Sequence, residues 1–212
     1  MRTRHPIITA AILLLALLPP APAGAHPHVW ADYWIEAVSG KDGITEFRFT
    51  WRFDTMFSQM VRGDLGIRAL NAAAIAKIRD QAFANLSKYH YYTYMKLDGK
   101  DFLPEQVASF TARNDGEQLV YAFTIPLPRP AQKAEVTIYD EELYVDIGPP
   151  MTDDGAQGSM LTPVKPVAQP YVTAKAVAGA KPPACTQQES ESRSNPIWGQ
   201  YKTFTAICTA AP

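Results

Sequence analysis

The chain has 212 residues, with 20 Lys and Arg against 21 Asp and Glu and a formal net charge of −1. Nothing in that balance points to the basic patch a nucleic-acid-binding domain needs, so no nucleic-acid partner is expected. The length suits one domain with an appendage.

The segment Met1 to Ala25 reads as a secretory signal peptide. Arg2 and Arg4 give the positive start, and Ile7 to Leu18 is apolar apart from Thr9. Ala23-Gly24-Ala25 supplies the small residues a peptidase reads. The apolar run is too short for a bilayer anchor. Export to the periplasm is expected, with no membrane span in the mature chain. Loss of Arg2 and Arg4 leaves that chain more acidic.

Directly behind the leader stands His26-Pro27-His28-Val29-Trp30. Cleavage after Ala25 makes His26 the first residue, and its α-amino nitrogen and imidazole can then close on one metal ion. Both titrate near neutral pH, so both are available as ligands there. Pro27 biases His26 toward an extended conformation, in which His28 shares its side of the chain. Proline lacks the amide N–H that a square-planar Xaa-Xaa-His copper or nickel site deprotonates. Cleavage after Ala23 instead gives Gly24-Ala25-His26, which has both amides. The two cleavage sites therefore predict different coordination.

From Val29 to Ala37 apolar residues alternate with Trp30, Asp32, Trp34 and Glu36, the period of a half-buried strand. Ser39 to Gly43 is a turn cluster. From Ile44 to Phe53 the residues Phe47, Phe49, Trp51 and Phe53 alternate with charged and polar ones, which predicts a hairpin with an aromatic core face. A short helix is expected over 55–62. Asn71 is placed to cap a longer one reaching about Leu86, with Ile75, Ile78, Ala82, Phe83 and Leu86 as its apolar stripe. Strands then resume over 89–97, 107–113, 119–125, 135–139 and 143–147, with Asp98-Gly99 and Asn114-Asp115-Gly116 as turns. The pattern predicts an α+β domain, mainly antiparallel β-sheet and sandwich-like, with one main helix.

At Gly148-Pro149-Pro150 the composition changes to proline, alanine, glycine and lysine. The organisation read from this is a signal peptide over 1–25, an α+β domain over 26–148, a Pro/Ala-rich linker or arm over 149–184 and a C-terminal segment over 185–212. Cys185 and Cys208 are the two cysteines. In an oxidising compartment they are expected to form a disulfide that staples the tail. A thiolate site shared with His26 is the rival reading.

Further candidate ligands are His90, in Lys88-Tyr89-His90-Tyr91-Tyr92, and Asp54, in Trp51-Arg52-Phe53-Asp54. His90 is either a third ligand or a strand position beside aromatics. Asp54, like Asp140, is either a ligand or a turn or helix cap. Asp32 lies roughly 13 Å along an extended strand from His28, too far to share one ion directly. No nucleophile elbow, phosphate loop or His-Glu-x-x-His helix is present, and an enzyme is not expected. The sharpest chemical reading is a site for zinc, nickel, cobalt or copper, since nitrogen ligands suit several of these ions. A second reading is a metal-free interaction module that docks a partner on Trp30, Trp34 and the tyrosines of 89–94.

The signal peptide followed by His-Pro-His-Val-Trp resembles the start of a bacterial periplasmic family of unknown function, domain-of-unknown-function family 1007. Its members are often described as putative periplasmic components of an ABC-type transport system. The resemblance continues through Trp51-Arg52-Phe53-Asp54 with Phe57-Ser58, Asn85-Leu86, Tyr91-Tyr92-Thr93-Tyr94 and Tyr139-Asp140 with Tyr144. It implies a partner, an inner-membrane metal permease of the nickel/cobalt-exporter type. His26, His28 and Asp54 match the recurring positions. On that resemblance the protein is a transition-metal-binding accessory that passes metal to or from the permease.

Overall fold

A computed structural model describes residues 29–142, 144–150, 171–190, 193–195, 199–201 and 203–212. The chain opens on a long hairpin of β1 (Val29–Gly40) and β2 (Gly43–Phe53). The period-two pattern decides its faces: Val29, Ala31, Tyr33, Ile35 and Ala37 are buried with Phe47, Phe49, Trp51 and Phe53. Lys41 and Asp42 form the turn, and Gly43 follows at φ +128°, where an added Cβ would stand 2.6 Å from the Ala131 carbonyl oxygen. Only glycine fits there.

Helices α1 (Thr55–Asp64) and α2 (Ala72–Gln81) follow, then a 3₁₀ segment (Phe83–Tyr92). The remaining strands are β3 (Thr93–Leu97), β4 (Lys100–Phe102), β5 (Ser109–Asp115), β6 (Gln118–Ala131), β7 (Lys133–Ile138) and β8 (Val145–Gly148). After these come β9 (Val172–Ala176), β10 (Ala184–Glu189), β11 (Arg193–Asn195), β12 (Gly199–Tyr201) and β13 (Phe204–Thr209).

Two sheets result. The first runs β5-β6-β2-β1-β8, with β9 also on β1, and the second runs β10-β13-β7-β3-β4. β8 and β9 share one edge of β1, both parallel to it: Val29 to Asp32 pair with β8 and Ile35 to Ser39 with β9. The inner faces meet in one core in which Phe49 stacks on Phe123 at 5.1 Å and Trp51 meets Phe123 edge-on at 4.9 Å. Phe83 reaches the same cluster, 4.3 Å from Phe110 and 5.0 Å from Phe123. The helical excursion thus packs on the β5–β6 side of the first sheet. The fold is the expected α+β, mainly antiparallel, sandwich-like arrangement.

Three stretches differ from the sequence expectation. The helix begun at Asn71, whose side chain accepts from Ala74 N–H, ends at Gln81. Its expected second half is a 3₁₀ run. The strand expected from Tyr89 begins only at Thr93. Beyond Gly148 the described residues return to the sheets. Tyr171 and Val172 are buried, and Ile35 N–H donates to the Tyr171 carbonyl at 2.8 Å. Strand β13 pairs with β7, with Ala206 and Cys208 turned into the core. Cys185 and Cys208 stand opposite each other in β10 and β13 and form a disulfide, with Cα atoms 4.1 Å apart. Among the described residues no helix is long and apolar enough to cross a membrane.

Candidate functional site

The first described residues of β1 lie between two aspartate-built corners. On one side β2 ends at Phe53 and Asp54 caps α1. Its Oδ1 accepts from Phe57 N–H at 2.8 Å. This is the N-cap bond that satisfies an otherwise orphaned helix donor. Its Oδ2 accepts from Trp30 N–H at 2.9 Å, and Asp54 N–H donates back to the Trp30 carbonyl at 2.9 Å. One residue therefore starts a helix and holds the beginning of β1, two positions after His28. Ser58 locks the arrangement from inside. Its fully buried hydroxyl donates to the Asp54 carbonyl at 2.6 Å and accepts from Leu119 N–H at 2.8 Å.

On the other side, Val29 pairs with Val145 of β8. The turn into β8 is built by Asp140, 6% exposed. Its Oδ1 accepts from Glu142 N–H at 3.0 Å, and its Oδ2 accepts from Tyr144 and Val145 N–H at 3.1 and 3.0 Å. Three amide donors satisfy the carboxylate within a nearly dry turn.

His90 lies in the most unusual backbone among the described residues. His90, Tyr91 and Tyr92 are all left-handed, at φ 52°, 53° and 50°. For non-glycine residues this costs roughly 1–2 kcal/mol each. Neighbouring contacts hold the turn in place. Thr93 N–H donates to the His90 carbonyl, and its hydroxyl donates to the Tyr91 carbonyl at 2.8 Å. Tyr139 N–H donates to the Tyr92 carbonyl at 3.0 Å, which ties this turn to the Asp140 corner. Tyr91 packs on Phe83 at 5.3 Å, and Tyr92 stacks near Trp51 at 6.4 Å and Tyr89 at 5.7 Å. Burial, reinforced by the negative charge of Asp140, pushes the Tyr92 phenol well above its ordinary range. The His90 ring is half-buried, with Nδ1 3.3 Å from the Pro104 carbonyl oxygen.

The outer face of β1 and β2 carries a different chemistry. Asp32 accepts from Arg52 Nη2 at 2.6 Å, and the guanidinium lies 5.4 Å from the Trp34 ring centre. Arg48 bridges Glu36 at 3.1 Å and Glu46 at 2.7 Å. The Arg48–Glu36 pair lines a shallow depression of about 380 Å³ together with Trp34, Thr50, Thr111 and Thr124. Asp32 is thereby committed to Arg52.

Of the residues singled out from the sequence, His26 and His28 lie outside the described residues. Asp54 stands against the strand that follows them, as a helix cap and strand clamp. His90 belongs to the left-handed turn rather than to a strand. Among the described residues no group of three or more His, Cys, Asp and Glu side chains is gathered where it could hold a metal ion. Ser58 is the position whose role the sequence did not reveal. Its place one turn into a helix that starts on an aspartate was the available signal.

No curated protein matches the chain. A family model described as a protein of unknown function, DUF1007, matches residues 11–195. That span covers most of the chain, including both aspartate corners, the left-handed turn and strands β9 and β10. The chain belongs to this family.

Proposed function

We propose that the protein is a periplasmic accessory that binds a transition-metal ion and passes it to or from an inner-membrane permease. His26 supplies amine and imidazole and His28 a second imidazole, with Asp54 and His90 as candidate further donors. Zinc, nickel, cobalt and copper all suit such a nitrogen-rich set. The observation that supports this most is the bond from Trp30 N–H to Asp54 Oδ2, 2.9 Å long, two residues beyond His28. It anchors Trp30, which follows the histidines in sequence, to a carboxylate. Each Asp54 oxygen holds one amide donor in this arrangement, and an ionised carboxylate has lone pairs to spare.

The test begins with the mass of the protein recovered from the periplasm, which fixes its first residue. A chain starting at His26 is expected to bind one ion. Placing a glycine before His26 is expected to weaken binding at least tenfold, because the amine then leaves the chelate. Equal affinity with and without that glycine sinks the reading.

A second reading is a metal-free interaction module. It is favoured by the half-buried Trp30 and Trp34 on the outer sheet face and by Tyr89 and Tyr144, 51% and 57% exposed. Under it, His26→Ala with His28→Ala leaves partner binding intact and Trp34→Ala abolishes it. Under the metal reading the outcomes reverse.

A further inference from the structure

We infer that the solvent face of α1 is a thioether site for a soft monovalent metal ion, Cu(I) or Ag(I), formed by Met56 and Met60. The helix buries Ser58 and Val61. At about 100° per residue, Met56 and Met60 lie nearly opposite that buried pair, one turn apart and on one face. They are 61% and 51% exposed, the two most exposed methionines among the described residues, whereas Met95 is 3% exposed in the core. A surface helix ordinarily carries polar side chains on this face. Here the two large apolar side chains add nothing to the core they point away from.

Residues four apart on a helix bring their Cβ atoms within roughly 6 Å, and methionine has three rotatable bonds with which to close the rest. Thioether sulfur is a soft donor. It selects monovalent copper over the borderline and hard divalent ions. The surroundings keep the face open. Gln59 and Gly63 share it and are exposed, and nothing lies within 4 Å of where a Gly63 Cβ would stand. The helix is also held in place at its start, since Asp54 caps it and clamps it to β1. The pair thus sits on a rigid element. This inference does not depend on the proposed histidine site, whose donors are nitrogens rather than thioethers.

The experiment uses the exported full chain labelled at its methionine methyl groups and titrated with Ag(I) nitrate, followed by NMR. The methyl signals of Met56 and Met60 are expected to move together and saturate at one equivalent while Met95 stays still. Met56→Leu with Met60→Leu preserves size and apolar character and is expected to lose at least tenfold in Ag(I) affinity with its thermal midpoint unchanged. His26→Ala with His28→Ala is expected to leave the methionine shifts in place, and Zn(II) is expected not to produce them. Loss of Zn(II) binding alone therefore speaks only to the histidine reading. Methionine signals that stay fixed under Ag(I), shifts confined to Met151 or Met160, or unchanged affinity in the double leucine variant would each overturn the inference.

Discussion

The two faces of the β1–β2 hairpin are built from the same strands to opposite rules. The inner face is aromatic and dry: Phe47, Phe49, Trp51 and Phe53 are at most 4% exposed. The outer face joins Asp32, Glu36, Glu46, Arg48 and Arg52 in ion pairs whose side chains keep between 26% and 41% of their exposure. Burial of an aromatic side chain is worth several kcal/mol, whereas a solvent-screened ion pair is worth at most about 1 kcal/mol. The inner face therefore holds the fold together. The outer face contributes little to stability and is free to vary for other ends.

The sharpest way to break this contrast is to cut one residue on each face. Phe49→Ala empties a site stacked on Phe123 and is expected to cost about 3–5 kcal/mol. Thr50→Ala beside it, facing outward, is expected to cost under about 0.5 kcal/mol. Urea midpoints of the two variants read the difference directly.

Asp54 stands where the hairpin meets the helix, and its removal tests whether the junction belongs with the core. Asp54→Ala loses the cap and the Trp30 clamp together and is expected to cost about 2 kcal/mol. Asp54→Asn keeps an acceptor for one of them and is expected to recover more than half. Equal losses for the two variants would mean that the charge, rather than the bonds, holds the corner.

The core beneath the inner face also holds buried phenols, Tyr33 of β1 with Tyr121 of β6 and Tyr171 beside β9. Burial pushes Tyr171 up to about 12, and the Tyr33 and Tyr121 phenols higher still. A raised pKa means that the folded chain keeps its proton when the unfolded chain, titrating near 10, has lost it. Stability from this source is whole below pH 10 and falls as pH climbs from 10 through 12. Each phenol costs about 1.4 kcal/mol per pH unit in that window. Denaturant midpoints at pH 9 and pH 11 measure the fall, and Tyr171→Phe is expected to reduce it.

The smallest effect belongs to the outer ion pairs. A double-mutant cycle on Glu36→Gln and Arg48→Gln is expected to give a coupling of about 0.2–1 kcal/mol that fades in 1 M salt. A larger, salt-insensitive coupling would show that this face is less open than its exposure suggests.

What the sequence could tell followed the same contrast. Alternation along Val29 to Phe53 located both strands, their faces and their turn, because a period of two leaves no second way to bury four aromatics. Asn71 marked the true start of α2 because capping is a local event. The left-handed turn at His90 to Tyr92 left no such trace. Its dihedral angles are ones that glycine signals, and no glycine is there. Tertiary contacts to Phe83, Trp51 and Tyr139 impose it from a distance. The double role of Asp54 was half legible. A cap can be read from its own helix, but the clamp on Trp30 requires knowing that β1 and β2 pair with Ala31 opposite Phe53. As strands, β9, β10 and β13 were hidden for a related reason, although the aromatic residues of 196–208 had marked that stretch as able to dock on the domain. Their neighbours in sequence carry no periodicity, and β9 and β13 pair with β1 and β7, which lie far away along the chain.

The parallel edge of β1 has a consequence for how the molecule assembles. Val29 waits for Val145, and Ile35 waits for Val172. Local hairpins close quickly, but contacts across such long separations form late, since a long loop must close before they give anything in return. A chain arriving amino end first can zip β1 to β2 early and still present the other side of β1 as a bare strand edge, open to pairing with a second chain. That edge is sealed only when β8 and β9 arrive. The corner between Asp54 and Asp140 closes earlier, when β8 takes its place on β1, while the rest of that edge still waits for β9.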